Sequence, residues 1–280
     1  MRCIGADAGG MAFLFLRGQP LSAAEQPTPI RAVLFDKDGT MSNSEPHLFT
    51  LAIARIRHCL ELGGRDQPAQ LDDLLRRAYG LLPDGALDPA GITAVAARDH
   101  NLISTAVALS QVGHGWPDAL ELAEASFALA DRELQHQPRG TPATDGLSDL
   151  LDAMLSLGLQ LAVISNDDRQ GIQAFLEHHG YTRRISAIWS AEDRPRKPDP
   201  QAIHHLCDRL GVAPQQCALV GDANSDLRMA KSAGVAVVLG YRGGWQRPVQ
   251  LEAEFPWLDH WGQLSLSPDP EPAEGVSTIT

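Results

Sequence analysis

The sequence predicts an α/β protein in which a parallel-sheet core is interrupted by an inserted, all-helical cap. Three observations carry that prediction. Short apolar runs of β-favouring residues alternate with helical patterns of about a dozen residues, as parallel βαβ units with right-handed crossovers require. After the first run, residues 43–138 keep helical periodicity with no comparable strand signal. Finally, polar groups stand immediately after three of the runs, where an open Rossmann-like sheet gathers its ligands.

The elements follow in order. Residues 1–30 read as an N-terminal extension and linker. Its apolar part, Met11–Leu16, is shorter than the about 7 to 15 residues of a signal-peptide core, and a loosely held segment is expected. The stretch 17–30, rich in Gln, Pro, Ser and Ala, reads as linker. Ala32–Phe35 is the first strand, and Ser44 with Pro46 marks a helix start as cap and first-turn proline. Leu48, Leu51, Ala52, Ile56, Cys59 and Leu60 fall at spacings of three and four, and the pattern recurs over 71–82, 92–112 and 118–134. A turn-rich stretch, 137–146, leads back to the core. There, strands over 159–164, 185–190, 218–220 and 235–239 alternate with helices over 147–157, 170–180, 200–210 and 226–233. The expected division is a core of 31–42 and 139–262, a cap of 43–138 and a disordered tail of 263–280, where Pro, Glu, Ser and Thr abound.

Composition narrows the partners. With 23 basic against 35 acidic residues the chain carries a formal charge of −12, which argues against nucleic acid or an anionic membrane as its main partner. An anionic small molecule then needs local positive charge. Cys3, Cys59, Cys207 and Cys217 show no metal-ligand spacing and are too few for a disulfide framework, so a reducing compartment, the cytoplasm, is expected. No apolar run approaches the ~20 residues of a membrane span. A monomer or homodimer is expected.

Four segments carry chemistry. In Asp36-Lys-Asp-Gly-Thr40 two carboxylates leave one strand end together, an arrangement that is stable only with a cation between them or a proton on one; alone, Asp-Gly also reads as a surface turn. Val163-Ile-Ser-Asn166 ends a strand in a hydroxyl and an amide, which is an ordinary turn or an anion contact. Lys197, in Arg194-Pro-Arg-Lys-Pro-Asp-Pro200, is either solvated or a point charge aimed at anions. Leu219-Val-Gly-Asp-Ala-Asn-Ser-Asp226 sets Asp222 and Asp226 four apart at a strand-to-helix junction, suited to Mg²⁺, with a helix N-cap as the alternative for Asp226.

In this order, over residues 32 to about 240, the four segments resemble the motif set of the haloacid dehalogenase superfamily. The resemblance implies that Asp36 is a nucleophile forming an aspartyl phosphate and that Asp38 is the general acid and then base. It implies that Ser165, Asn166 and Lys197 bind the phosphoryl group. Mg²⁺ would be held by Asp36, the Asp38 backbone carbonyl, Asp222 and Asp226, the last directly or through water. Superfamily dehalogenases typically lack the second Asp, whereas phosphatases and phosphomutases carry it. The helical insert resembles the C1 cap of the group that includes phosphoglycolate phosphatase and β-phosphoglucomutase. The expected function is therefore a Mg²⁺-dependent phosphatase acting on a small phosphorylated metabolite, with a phosphomutase or a catalytically silent binding protein as alternatives.

Lys37 departs from the pattern, since a hydrophobic residue is common there, and its side chain is expected to point away from Asp36 and Asp38. Asn43, Glu45, His47 and Arg55 are candidate cap contacts that more ordinarily read as solvated or capping residues. Gly240–Trp245 reads as the turn after the last core strand, and the His178–His179 and His204–His205 pairs as solvated surface.

Overall fold

A computed structural model describes residues 10–22, 27–64, 66–134 and 140–271. The described chain opens on strand β1 (Phe13–Leu16), which pairs antiparallel with β2 (Gln19–Pro20) and, on its other edge, with Leu264–Ser267 near the far end. This corrects two expectations. The Met11–Leu16 segment is not loosely held, because Leu14 and Phe15 are each only 1% exposed and Leu14 joins the main core. The tail is likewise ordered where Leu264-Ser-Leu-Ser267 supplies the edge that β1 needs. Burying large apolar side chains gains roughly 1.5–3 kcal/mol each, enough to recruit an edge strand far away in sequence. Residues 272–280 and Cys3 lie outside the described residues.

Strand β3 (Ala32–Phe35) follows, and then five helices: α1 (Glu45–Gly63), α2 (Pro68–Tyr79), α3 (Ile92–Val95), α4 (Arg98–Gln111) and α5 (Trp116–Leu134). Their inward residues, among them Ile56, Leu71, Leu75, Leu109 and Phe127, form one apolar cluster, as the three-and-four spacing requires. The helix expected over 92–112 is two helices, because Ala96 and Ala97 take extended backbone. The core resumes with α6 (Leu147–Ser156), β4 (Gln160–Ile164), α7 (Arg169–His178), β5 (Ala187–Trp189), α8 (Pro200–Leu210), β6 (Cys217–Gly221), α9 (Asn224–Ser232), β7 (Val237–Tyr241), β8 (Trp257–Leu258) and β9 (Leu264–Ser267). The short strand β8 carries no sequence signal of its own.

The main sheet is parallel throughout, in the order β5-β4-β3-β6-β7-β8. Its centre is β3. Val33 and Phe35 enter the core on one face while Ala32 and Leu34 enter the core on the other, which is why all four are apolar. Phe35 stands opposite both Val163 and Val220. The three strand ends are therefore level, and the residues just beyond them, Asp36, Ser165 and Asp222, meet at one edge. Among the described residues no helix is long and apolar enough to cross a membrane.

Candidate active site

At that edge the Asp36 amide still donates to the Val220 carbonyl at 3.0 Å, so its carboxylate leaves the sheet in a fixed direction. Lys197 reaches it from the loop before α8. Its Nζ donates to Asp36 Oδ1 at 2.8 Å, to Asp226 Oδ2 at 2.7 Å and to the Ile164 carbonyl at 3.2 Å, which uses all three of its protons. Burial works against the ammonium, but Asp226 and Asp36 outweigh it and hold the Lys197 pKa above its usual value. Asp226 is not the cap of α9, since Ala223 takes that position and Asp226 lies inside the first turn.

Asp222 is fixed from two sides. Thr40 Oγ1 donates to Oδ1 at 2.9 Å and Trp245 Nε1 to Oδ2 at 2.7 Å. Trp245 belongs to the stretch read from sequence as a turn, which it is, but its indole also packs against Gly39 and Asp222 and joins the apolar cluster of the helices. Only glycine fits beneath it. Gly39 has φ +77°, and a Cβ there would collide with the Trp245 indole and the Asp222 carboxylate. A Trp soon after a core strand carries no signal of this role, because what it donates to lies on a different strand.

Burial, then Asp36, then Asp226 push the Asp222 pKa well above the carboxylate range. Burial also raises Asp226, to about 6, with Lys197 opposing and Asp36 adding to the shift. Two of the three buried carboxylates, Asp36 and Asp226, share one ammonium while Asp222 has only neutral donors, so the site has negative charge in excess. Among the described residues no three His, Cys, Asp or Glu side chains close around one point. The donors at the strand ends are all oxygens, and carboxylates with a backbone carbonyl suit a hard divalent ion that completes its shell with water and substrate oxygens. Asp36, Asp222 and the Asp38 carbonyl are the groups available for it, with Asp226 beside them.

Lys37 corrects the sequence reading. Its side chain turns toward Asp38, donating to Oδ1 at 2.6 Å, and it also pairs with Asp167 Oδ2 at 2.9 Å. A lysine at this point of a buried turn cannot leave its charge unpaired, and the carboxylates on either side of it are what the turn offers. Ser44, expected as a helix cap, makes no side-chain cap bond; its hydroxyl donates to Asp38 instead. Burial favours the neutral Asp38 acid, but Lys37 and Ser44 prevail and hold its pKa below the usual value. Burial raises Asp167, with Lys37 opposing and Asp38 adding. Sequence reasoning did not single out Asp167, although it follows the second motif directly.

Ser165 and Asn166 divide. Ser165 is buried at the strand end, and its hydroxyl accepts from the Asp167 amide at 3.2 Å. Asn166 donates to the Val95 carbonyl of α3 at 3.0 Å, so its amide nitrogen ties sheet to helices and only Oδ1 is left without a partner. Among the four candidate cap contacts, His47 and Arg55 line the cavity and Asn43 and Glu45 do not. Glu45 is buried as an acceptor for the Leu87 and Gln246 amides. The cavity, of about 410 Å³, lies between the strand ends and the helices, with Asp36, Asp38, Ser165, Lys197, Asp222 and Asp226 in its wall.

The haloacid dehalogenase-like hydrolase family model matches residues 30–234. The chain belongs to this family. Among curated members it is 30% identical over 253 residues to a phosphoglycolate phosphatase of Pseudomonas putida, covering 88% of this chain and 82% of that one. It is 29% identical over 239 residues to a phosphoglycolate phosphatase of Thiobacillus denitrificans, covering 83% and 94%. Among solved structures, a predicted phosphoglycolate phosphatase from Haemophilus somnus 129PT superposes with a TM-score of 0.60 at 23% identity, over 83% of this chain and 95% of that one. That likeness shows a shared fold.

Proposed function

We propose that this haloacid dehalogenase-like hydrolase is a Mg²⁺-dependent phosphatase that cleaves a small phosphomonoester through an aspartyl phosphate. The observation that carries the reading is the set of charges gathered at the level strand ends: Asp36 joined through Lys197 to Asp226, with Asp38 on the same turn and Asp222 alongside. Similarity to two phosphoglycolate phosphatases makes phosphoglycolate the first substrate to try.

In this reading the Asp36 carboxylate attacks phosphorus, and the P–O bond to the leaving alkoxide breaks as Asp38 gives that oxygen a proton. Water then attacks the aspartyl phosphate, Asp38 takes the water's proton, and phosphate departs with Asp36 restored. Lys197 and the Ser165 hydroxyl hold the phosphoryl oxygens. Mg²⁺ bound by Asp36, Asp222, the Asp38 carbonyl and Asp226 supplies the positive charge that lets a dianion enter a cluster of acids. The free site, with Lys37 holding Asp38 ionised, is poised for its task as base. A bound phosphoryl group, being negative, acts on Asp38 in the opposite sense and favours the acid form.

The test is phosphate release from phosphoglycolate, sugar phosphates, nucleotides and an aryl phosphate, each with Mg²⁺ and with chelator. Release that depends on Mg²⁺ supports the reading. No release from any of them overturns it. Analysis of the organic product distinguishes hydrolysis from return of the phosphoryl group to a sugar phosphate.

A further inference from the structure

Four cations with long side chains line the cavity, and three are committed. Lys197 lies against Asp36 and Asp226, Lys37 against Asp38 and Asp167, and Arg98 against Asp131 at 2.6 Å. Arg55, on the inner side of α1, is the fourth. It is 5% exposed, its guanidinium lies 4.0 Å from the centroid of the Phe127 ring, and its Nε has no hydrogen-bond partner. Among the described residues no carboxylate comes within ion-pair distance of it. Asp131, whose charge acts on Arg55, is held by Arg98. A buried guanidinium without an ion pair of its own is costly, and the aromatic face of Phe127 offsets only part of that cost.

The neighbouring lining is unfinished in the same way. Thr93 Oγ1 and Asn101 Oδ1 are buried in the cavity wall without partners. The Asn101 side chain is not free to turn, since its Nδ2 donates to the Ile92 and Ala97 carbonyls at 3.2 Å each, which leaves Oδ1 as an acceptor held in place. A buried cation and two unused oxygen sites in the wall of one cavity suit a ligand bearing anionic oxygens and a hydroxyl.

We propose that Arg55 is a specificity residue that binds a second anionic group of the substrate, remote from the phosphoryl group under attack. This rests on the phosphatase reading and narrows it. The substrate class is a phosphomonoester whose other end is a carboxylate or a second phosphate, with a hydroxyl able to meet Thr93 and Asn101. A cavity of about 410 Å³ has room for a substrate longer than a two-carbon phosphate. A guanidinium suits either anion because its forked donors match two oxygens at once.

The experiment compares kcat/KM for matched pairs that differ in the remote group: phosphoglycolate against ethyl phosphate, 3-phosphoglycerate against glycerol 3-phosphate, and a sugar bisphosphate against its monophosphate. The expected result is a preference of roughly 10- to 100-fold for the anion-bearing member of at least one pair, expressed mainly in KM. Carboxylate and phosphate pairs show which anion is read. In Arg55→Met that preference should fall to within about 3-fold of unity, and in Arg55→Lys it should be intermediate, whatever the overall loss of rate. Because the preference is a ratio measured on one protein, the wild type alone tests the proposal if Arg55→Met does not fold. Phosphate release without any preference for a second anion overturns the assignment and leaves the phosphatase reading standing. A preference that survives intact in Arg55→Met also overturns it. Absence of release from every substrate, aryl phosphate included, removes the phosphatase reading itself.

Discussion

On the sheet side of the cavity each motif carboxylate already has its donor. Lys197 serves Asp36 and Asp226, Lys37 serves Asp38, and Thr40 with Trp245 serves Asp222. On the helical side Arg55, Thr93 and Asn101 each leave a buried polar atom unpaired. The carboxylates of the first wall are thus held before anything binds, as groups proposed to act on a transition state must be if they are not to reorganise during the reaction. The second wall keeps polar atoms that a ligand could engage. On the proposed reading, chemistry and selectivity reside on opposite sides of one cavity, and each can be broken separately.

The largest effect is expected on the sheet wall. Asp36→Asn keeps the shape and loses the nucleophile, so turnover should drop by about 10³-fold or more with the circular dichroism spectrum unchanged. Full activity in this variant would exclude Asp36 from the chemistry.

Lys37→Met comes next. It removes the cation between Asp38 and Asp167, whose side chains are 17% and 28% exposed, so the cost in stability should lie between the surface and buried extremes, about 1–3 kcal/mol. Without Lys37 the Asp38 carboxyl is no longer held down, and the acidic limb of the kcat/KM profile should move to higher pH. An unmoved limb together with wild-type stability would mean that the Lys37 pair is idle.

A third prediction concerns charge without mutation. The Asp226 pKa is raised from 3.8 to about 6, and that of Asp222 is raised as well. Their contribution to folding is therefore full below about pH 4 and is lost as pH rises through the folded value, about 6 for Asp226. A divalent ion competes with those protons, so the rise in Tm produced by Mg²⁺ should be larger at pH 7 than at pH 5, by several degrees. Equal gains at the two pH values would place the ion away from these acids.

The sheet wall is also the part that could be read in the sequence. Asp36, Ser165 and Asp222 each follow an apolar run, and parallel pairing brings such positions to one edge whatever lies between them. What could not be read depends on contacts between segments far apart. Lys37 was expected to turn away because alternation along a strand assigns it to the opposite side, but the chain leaves the strand at Asp36 and the turn returns its ammonium to Asp38. Strand β1 was hidden because its partner, Leu264–Ser267, lies in a stretch whose composition reads as unstructured. The helical wall was least legible of all. The three-and-four spacing shows which face of α1 is buried, but it does not separate a buried Arg55 from a solvated one, because that depends on where α5 places Phe127.

Trp245 tests the comparison most finely, because it belongs to both sides. Its ring is packed in the cluster of the helices and its Nε1 donates to Asp222 on the sheet. Trp245→Phe keeps most of the apolar contact and deletes one donor, leaving Asp222 with Thr40 alone. If the indole orients Asp222 for a metal ion, Mg²⁺ affinity should weaken by about 10-fold, within the range seen when the partner of a metal ligand is lost. Folding stability should change by only about 1 kcal/mol, since the carboxylate can take up a proton once its donor is gone. Titration calorimetry with Mg²⁺ and thermal unfolding of the same variant separate the two readings. A loss of stability with unchanged Mg²⁺ affinity would make Trp245 part of the helical packing alone, whereas the reverse pattern assigns it to the sheet wall.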